Sequence, residues 1–369
     1  MSSTTSNEKL LSKRITQMSP SATIAMSQMA RDLRAEGHDV ISLSLGEPDF
    51  DTPQHIKDAA KKALDDGRTK YTPVPGLVEL REAIKTKFKR DNNIDCEINQ
   101  IVVSNGAKQS LANLSLTLLE EGDEVIIFSP YWVSYYEIVR LGLGTPVILD
   151  AGIETDFKVT AEQLNKAITK NTKFILFSSP CNPTGSVYEE HELKAIADVV
   201  AKHEGVYIVA DEIYEYINFT GKHASIGSFD NVKDRTITVN GFSKGFAMTG
   251  WRLGYICAPK AIAAACAKMQ GQFTSGATAF GQVAAAHALL GDMNPTFEMR
   301  KAYLSRRNML LAKLKEIPGF KVNQPEGAFY IFPDVSALWF RVSEEIHIGL
   351  NQDRQMMWEI QEEVFQNLW

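Results

Sequence analysis

Between about residues 50 and 290 the chain repeats one pattern. Short apolar runs near 101, 125, 146, 174, 206, 236 and 253 are separated by stretches with the period of helices. Strands that alternate with helices build a mainly parallel sheet, because a parallel pair needs a long crossover and a helix supplies it. The expected fold class is therefore α/β, with a mostly parallel sheet. Ligands of such sheets bind just beyond the carboxyl ends of the strands, so the residues that follow each run are the place to look for chemistry.

Five strand ends carry candidate groups. The run Thr236-Ile237-Thr238-Val239 leads into Asn240-Gly241-Phe242-Ser243-Lys244-Gly245, a small-residue loop able to present the Lys244 amine as a Schiff-base anchor for pyridoxal 5′-phosphate (PLP) and, once displaced by substrate, as a free base. Val206 to Ala210 ends in Asp211, a carboxylate suited to keeping a pyridine nitrogen protonated, and Tyr214 follows within reach of a ring hydroxylate. Phe174 to Phe177 leads into Ser178-Ser179-Pro180-Cys181-Asn182-Pro183-Thr184-Gly185, a rigid turn that fixes the Asn182 amide as a donor to the ring oxygen and to a substrate carboxylate. Ile101 to Ser104 precedes Asn105-Gly106-Ala107-Lys108 and a helical pattern; unpaired N–H groups at such a helix start, at Gly106 and Ala107, take up a phosphate. Val125 to Phe128 precedes Ser129-Pro130-Tyr131-Trp132, where Trp132 offers a flat ring for stacking. Taken singly, each has an ordinary structural reading: a solvated lysine, a capping aspartate, a plain loop, a helix junction, a core tryptophan. Their joint placement at one sheet edge is far more specific than any member.

With these segments the chain resembles the aspartate aminotransferase-like group of the class I/II aminotransferases, PLP fold type I. The resemblance runs from about Lys13 to Ser336 and includes Gly46-Glu47-Pro48-Asp49-Phe50 and Tyr71-Thr72-Pro73. It implies a PLP-binding large domain over 46–291, an N-terminal arm and part of a small domain over 1–45, and a smaller α/β domain over 292–369 that looks incomplete. It also implies that Lys244, Asp211 and Tyr214 are catalytic, that Ser243 and Arg252 join Gly106 and Ala107 on the phosphate, and that Tyr71 reaches that phosphate from a neighbouring subunit of a homodimer. Gly46 would touch substrate through its backbone. Lys108, Ser21 and Thr23 are associated in this group with the distal carboxylate of a dicarboxylic substrate, and a cation at a helix amino end, against the helix dipole, favours a functional reason for Lys108. The implied reaction transfers an amino group between aspartate or glutamate and a 2-oxo acid such as 2-oxoglutarate. An aminotransferase for another substrate, prephenate, an aromatic amino acid or alanine, is the alternative, and Ser19, where prephenate-using members carry a basic residue, lowers the prephenate reading.

The match holds through Glu326-Gly327-Ala328-Phe329-Tyr330-Ile331-Phe332-Pro333 and then breaks. Family members continue to an Arg-x-Ser segment whose arginine clamps the substrate α-carboxylate. Arg341-Val342-Ser343 mimics it but comes too soon, and Trp339, Trp358 and Trp369 crowd the tail. A shifted reading frame or truncation after about Ser336 is expected, with a divergent functional tail as the alternative. The corresponding expectation is PLP binding with weak or absent turnover, so that a catalytically inactive PLP-binding protein is the rival to the enzyme.

Composition fits. At 369 residues, 44% apolar and 23% charged, the chain can bury a sizeable core, and its net charge of −6 disfavours a nucleic-acid backbone as partner. The glycine spacing after Gly142 fails the dinucleotide fingerprint, and 1–12 leave no room for a DNA-binding extension. Cys96, Cys181, Cys257 and Cys266 form no Cys-x-x-Cys pair and no histidines cluster, so neither disulfide nor metal is indicated. The polar start lacks a signal core, no apolar run spans a membrane, and a cytoplasmic protein is expected. Arg300, Arg306 and Arg307, on a helix expected over Phe297 to Leu314, read as solvated surface charge.

Overall fold

The computed structural model describes residues 10–43 and 46–338. Its centre is a seven-stranded sheet of β1 (Ile101–Ser104), β2 (Glu124–Ser129), β3 (Thr145–Asp150), β4 (Thr172–Ser178), β5 (Tyr207–Asp211), β6 (Thr236–Gly241) and β7 (Gly254–Cys257), in the order β1-β7-β6-β5-β4-β2-β3. The strands from β3 through β6 pair in parallel. β7 runs antiparallel to both β6 and β1. It is entered through a loop rather than a helix, which an antiparallel neighbour permits.

Helices cover both faces of this sheet, and the period-2 alternation of the strands sorts side chains between them. Val125 and Ile127 of β2 join a core with Leu111 and Leu114 of α4 (Ala107–Leu118). Ile126 and Phe128 face the other way, toward Leu193 and Ile196 of α7 (Glu190–Ala201). A third core packs α2 (Gln54–Asp65), α3 (Val78–Asn92) and α9 (Ala279–Leu290) around Phe242, Phe246 and Tyr255. The remaining helices of more than one turn include α1 (Ala22–Ala35), α5 (Ser134–Leu141), α6 (Ala161–Ala167), α8 (Lys260–Gly271) and α10 (Asn294–Lys315).

β1 and β6 both oppose β7, so they point the same way as one another. The carboxyl ends of β1, β2, β4, β5 and β6 therefore lie along one sheet edge. The loop from β6 to β7 is pinned by Phe242, Phe246, Met248 and Leu253, all buried, and by the Phe242 N–H donating to the Leu253 carbonyl at 3.2 Å. Lys244 is thus held on a firm loop at that edge.

One expectation needs correction. α10 begins at Asn294, and its arginines are not simply solvated. Arg306 pairs with Asp49 at 2.8 Å and lies over the ring of Phe50, while Arg307 donates to the Pro325 carbonyl at 2.7 Å and lies over Phe219. The partners lie in other segments of the chain, outside the helix, so helical periodicity alone showed only the polar face.

Gly254 marks a close approach of β7 to the turn after β1. A Cβ there would stand 2.2 Å from the Ala107 backbone nitrogen and 2.6 Å from the Gly106 carbonyl carbon. Gly254→Ala should cost about 1–3 kcal/mol by overpacking, read as a lower urea midpoint. An unchanged midpoint would show that the turn and strand separate freely.

Candidate active site

A cavity of about 550 Å³ opens at the carboxyl edge. Its wall contains Ser21, Thr23, Gly46, Ala107, Lys108, Trp132, Asn182, Asp211, Tyr214, Ser243, Lys244 and Arg252. Residues that the sequence scatters over more than 230 positions are here brought together. Tyr71 stands elsewhere: it is fully exposed, on a second cavity formed with the segment 276–280. Arg341 and the tail tryptophans lie outside the described residues.

Asp211 is the last residue of β5 and is buried. Tyr135 donates its hydroxyl to one carboxylate oxygen at 2.7 Å, and the Ile213 N–H donates to the other at 3.2 Å. Burial penalises the anion and pushes the Asp211 pKa up to about 6, against the pull of these donors. Lys244, beyond the end of the adjacent β6, donates to the Gly46 carbonyl at 2.6 Å. Burial, which penalises the ammonium, lowers its pKa to about 8.

The cavity wall opposite is aromatic and amide. The hydroxyls of Tyr214 and Tyr330 lie 2.7 Å apart, and the Asn182 amide stands 3.3 Å from the Tyr330 hydroxyl. Tyr330 also explains Gly46, since a Cβ at 46 would come within 1.9 Å of its hydroxyl oxygen. Trp132 meets Tyr135 edge to face, with centroids 5.6 Å apart, and the Lys108 ammonium lies 4.9 Å from the Trp132 ring centre. Burial, and then the charge of Arg252, lower the Lys108 pKa.

At one end sits the start of α4. Gly106 caps it with φ +84°, and a Cβ there would fall 2.4 Å from Arg252 Nη2. The guanidinium therefore rests directly against the glycine, steadied by Nη1 donating to the Thr249 carbonyl at 2.9 Å. A helix amino end, an arginine and the hydroxyl of Ser243 on one cavity form an anion cradle.

Tyr135 and Tyr330 were not singled out from the sequence. Tyr135 lies three residues past Trp132, and its N–H donates to the Trp132 carbonyl at 2.9 Å, which sets it one turn on. Tyr330 carried no local signal beyond its place after Gly327-Ala328-Phe329.

Residues 38–365 match the family described as aminotransferase class I and II. The chain belongs to that family. The aspartate aminotransferase of Geobacillus stearothermophilus is 48% identical over 326 residues, covering 88% of this chain and 83% of the relative. The aspartate/prephenate aminotransferase of Cereibacter sphaeroides is 46% identical over 332 residues, covering 88% and 82%. Among solved structures, the Thermus thermophilus aspartate aminotransferase with maleate has a TM-score of 0.86 at 43% identity, covering 89% of this chain and 86% of that one. The family resemblance and the α/β sheet are thus borne out, and the match to the family continues past Ser336.

The burial of Lys244 has a direct chemical consequence. An amine-selective reagent should modify it with a pH midpoint of about 8, against about 10.4 for a solvated lysine. Peptide mapping across pH reads this, and a midpoint near that of bulk lysines would contradict the buried placement.

Proposed function

We propose that the chain is a PLP-dependent aminotransferase that moves an amino group between aspartate or glutamate and 2-oxoglutarate or a similar 2-oxo acid. One observation carries the reading: a primary amine and a buried carboxylate, at the ends of adjacent parallel strands, face one cavity beside an anion cradle. That set complements an aromatic cation bearing an aldehyde and a phosphate, and the contact of Arg252 with Gly106 leaves no room for a side chain at the head of α4. PLP, when bound, supplies a protonated ring that accepts the electron pair released as a substrate Cα–H bond breaks.

The remaining work falls to the chain. Asp211, buried and oriented by Tyr135, would hold a proton at the ring nitrogen of the bound cofactor. With the cofactor bound, Asn182 and Tyr214 would hydrogen-bond the ring oxygen, Trp132 would stack on the ring, and Gly106, Ala107, Ser243 and Arg252 would hold the phosphate. Lys244 Nζ anchors the cofactor and, when free, takes the proton from the substrate Cα and returns it; a pKa of about 8 lets it do both near neutral pH. Lys108, with Ser21 and Thr23, receives the distal carboxylate, and the Gly46 backbone and Asn182 line the near side. Tyr71, fully exposed on its own chain, is suited to complete a partner's phosphate site, so we place the protein as a homodimer with shared sites. A cytoplasmic location completes the proposal; no helix among the described residues is long and apolar enough to cross a membrane.

Single-turnover absorbance of the PLP-loaded protein with aspartate tests the reading. Asp211→Asn should retain PLP while exchanging the substrate α-proton slower by roughly 30- to several-thousand-fold, the effect of losing a buried charge contact of about 2–5 kcal/mol. Equal exchange in variant and parent would remove Asp211 from the role. PLP uptake by the parent without any exchange would favour the inactive PLP-binding protein.

A further inference from the structure

Behind the cavity lies a second polar cluster that the proposed reaction does not use. Lys87 and Asn92 of α3, Glu212 and Glu215 of the turn after β5, and Ser225 are all buried, and the His223 side chain is only 9% exposed. Glu212 Oε2 is 2.9 Å from Asn92 Nδ2 and 3.0 Å from His223 Nε2, and it accepts from Ser225 Oγ. Glu215 Oε2 is 2.9 Å from the same Asn92 nitrogen, its other oxygen pairs with the Lys87 ammonium, and Lys87 donates to Asn92 Oδ1 at 2.6 Å. Three separated chain segments converge here.

Two facts about this cluster bear on the site. The turn from 211 to 215 divides its side chains: Asp211 and Tyr214 line the cavity, while Glu212 and Glu215 enter the cluster. The charges, moreover, do not close without histidine. Two carboxylates against one ammonium leave a net negative charge in a buried place, which is strongly unfavourable.

Resting on the proposed function above, we propose that this cluster is a positioning device for Asp211 and Tyr214, and that His223, as the imidazolium, supplies the charge that closes it. Bonds to Glu212 and Glu215 fix the backbone of the turn from behind, so Asp211 and Tyr214 keep their direction into the cavity. Burial pulls the His223 pKa down, but the charge and hydrogen bond of Glu212, then the charge of Glu215, outweigh burial and the opposing charge of Lys87, and leave it above the ordinary histidine value. Among the described residues, Glu212, Glu215 and Lys87 are the charged groups that act on it most. Behind the dominant effect of burial, Glu212 also adds to the upward push on Asp211, so the charge state of the cluster is felt at the site. Glu212, Glu215 and His223 have ligand atoms within 4.8 Å of one another, the reach of a metal site, yet the Lys87 ammonium already supplies a cation against Glu215.

The test has two arms. In protein with ¹³C-labelled histidine, the resonance lost in His223→Gln identifies His223; it should titrate above 6.5, and Glu212→Gln should lower its midpoint by about one unit or more. A midpoint at or below that value, or one that Glu212→Gln leaves in place, overturns the charge assignment. In the second arm, Lys87→Met in the PLP-loaded protein should lower kcat for amino transfer about tenfold or more with KM for aspartate within about twofold, and Lys87→Met/Glu215→Gln should recover most of that loss by removing the uncompensated charge. Loss of kcat, KM and folded fraction together, without recovery in the pair, would leave a merely structural cluster. Should Lys87→Met fail to fold, His223→Gln takes its place in the second arm and should weaken the dependence of kcat on pH above neutrality; an unaltered profile counts against the proposal. If the parent transfers no amino group, the proposed function falls, while the histidine titration still decides the charge assignment.

Discussion

The arrangement depends on burying one carboxylate. Asp211 ends a strand at the middle of a sheet covered on both faces, where an anion is poorly solvated and its pKa rises to about 6. Lys244, at the end of the neighbouring strand, is driven the other way, to about 8. The two do not form an ion pair with one another; Asp211 is held by Tyr135 and the backbone of Ile213, Lys244 by the carbonyl of Gly46. Each is kept by its own hydrogen bonds on the wall of a shared cavity, so both are directed at whatever occupies it. This is the preorganisation that electrostatic catalysis requires, fixed before reaction rather than assembled during it.

The rest of the fold serves that placement. Antiparallel β7 allows the Lys244 loop to return at once to the sheet, and Gly254 lets β7 pass close beneath the cradle at the start of α4. A strap from Pro325 to Tyr330 ties the far side: the Glu326 and Gly327 N–H groups donate to the Gly185 carbonyl and the Ala328 N–H to that of Ile217. The strap thereby joins the Asn182 loop to the Tyr214 turn and sets the Tyr330 hydroxyl between them. Tyr330 in turn explains why position 46 carries no side chain.

Much of this was legible in the sequence, and the boundary follows a physical line. Strand ends followed by turn residues are local signals, so Lys244, Asp211, Asn182, Gly106 and Trp132 were readable from their own neighbourhoods, and sheet topology then brought them to one edge. The roles of Arg252, Ser243, Ser21, Thr23 and Gly46 had no local warrant and came through resemblance alone, whereas Lys108 had in addition its unusual place as a cation at a helix amino end. What escaped depends on pairs far apart in the chain. Nothing around Lys87 announces Glu215, nothing around Asp49 announces Arg306, and nothing around Gly46 announces Tyr330. The direction of β7 was likewise hidden, because a four-residue apolar run has no polarity until its neighbours are known.

The proposal turns on Lys244 as the residue to which PLP would be joined, with Asp211 as the partner of the ring nitrogen. Borohydride reduction of the PLP-treated protein, followed by proteolysis and mass-spectrometric mapping, tests it most directly. The account predicts one reduced adduct, on Lys244, absent from Lys244→Ala. An adduct on Lys108 or any other lysine in the parent, with Lys244 unmodified, would contradict it.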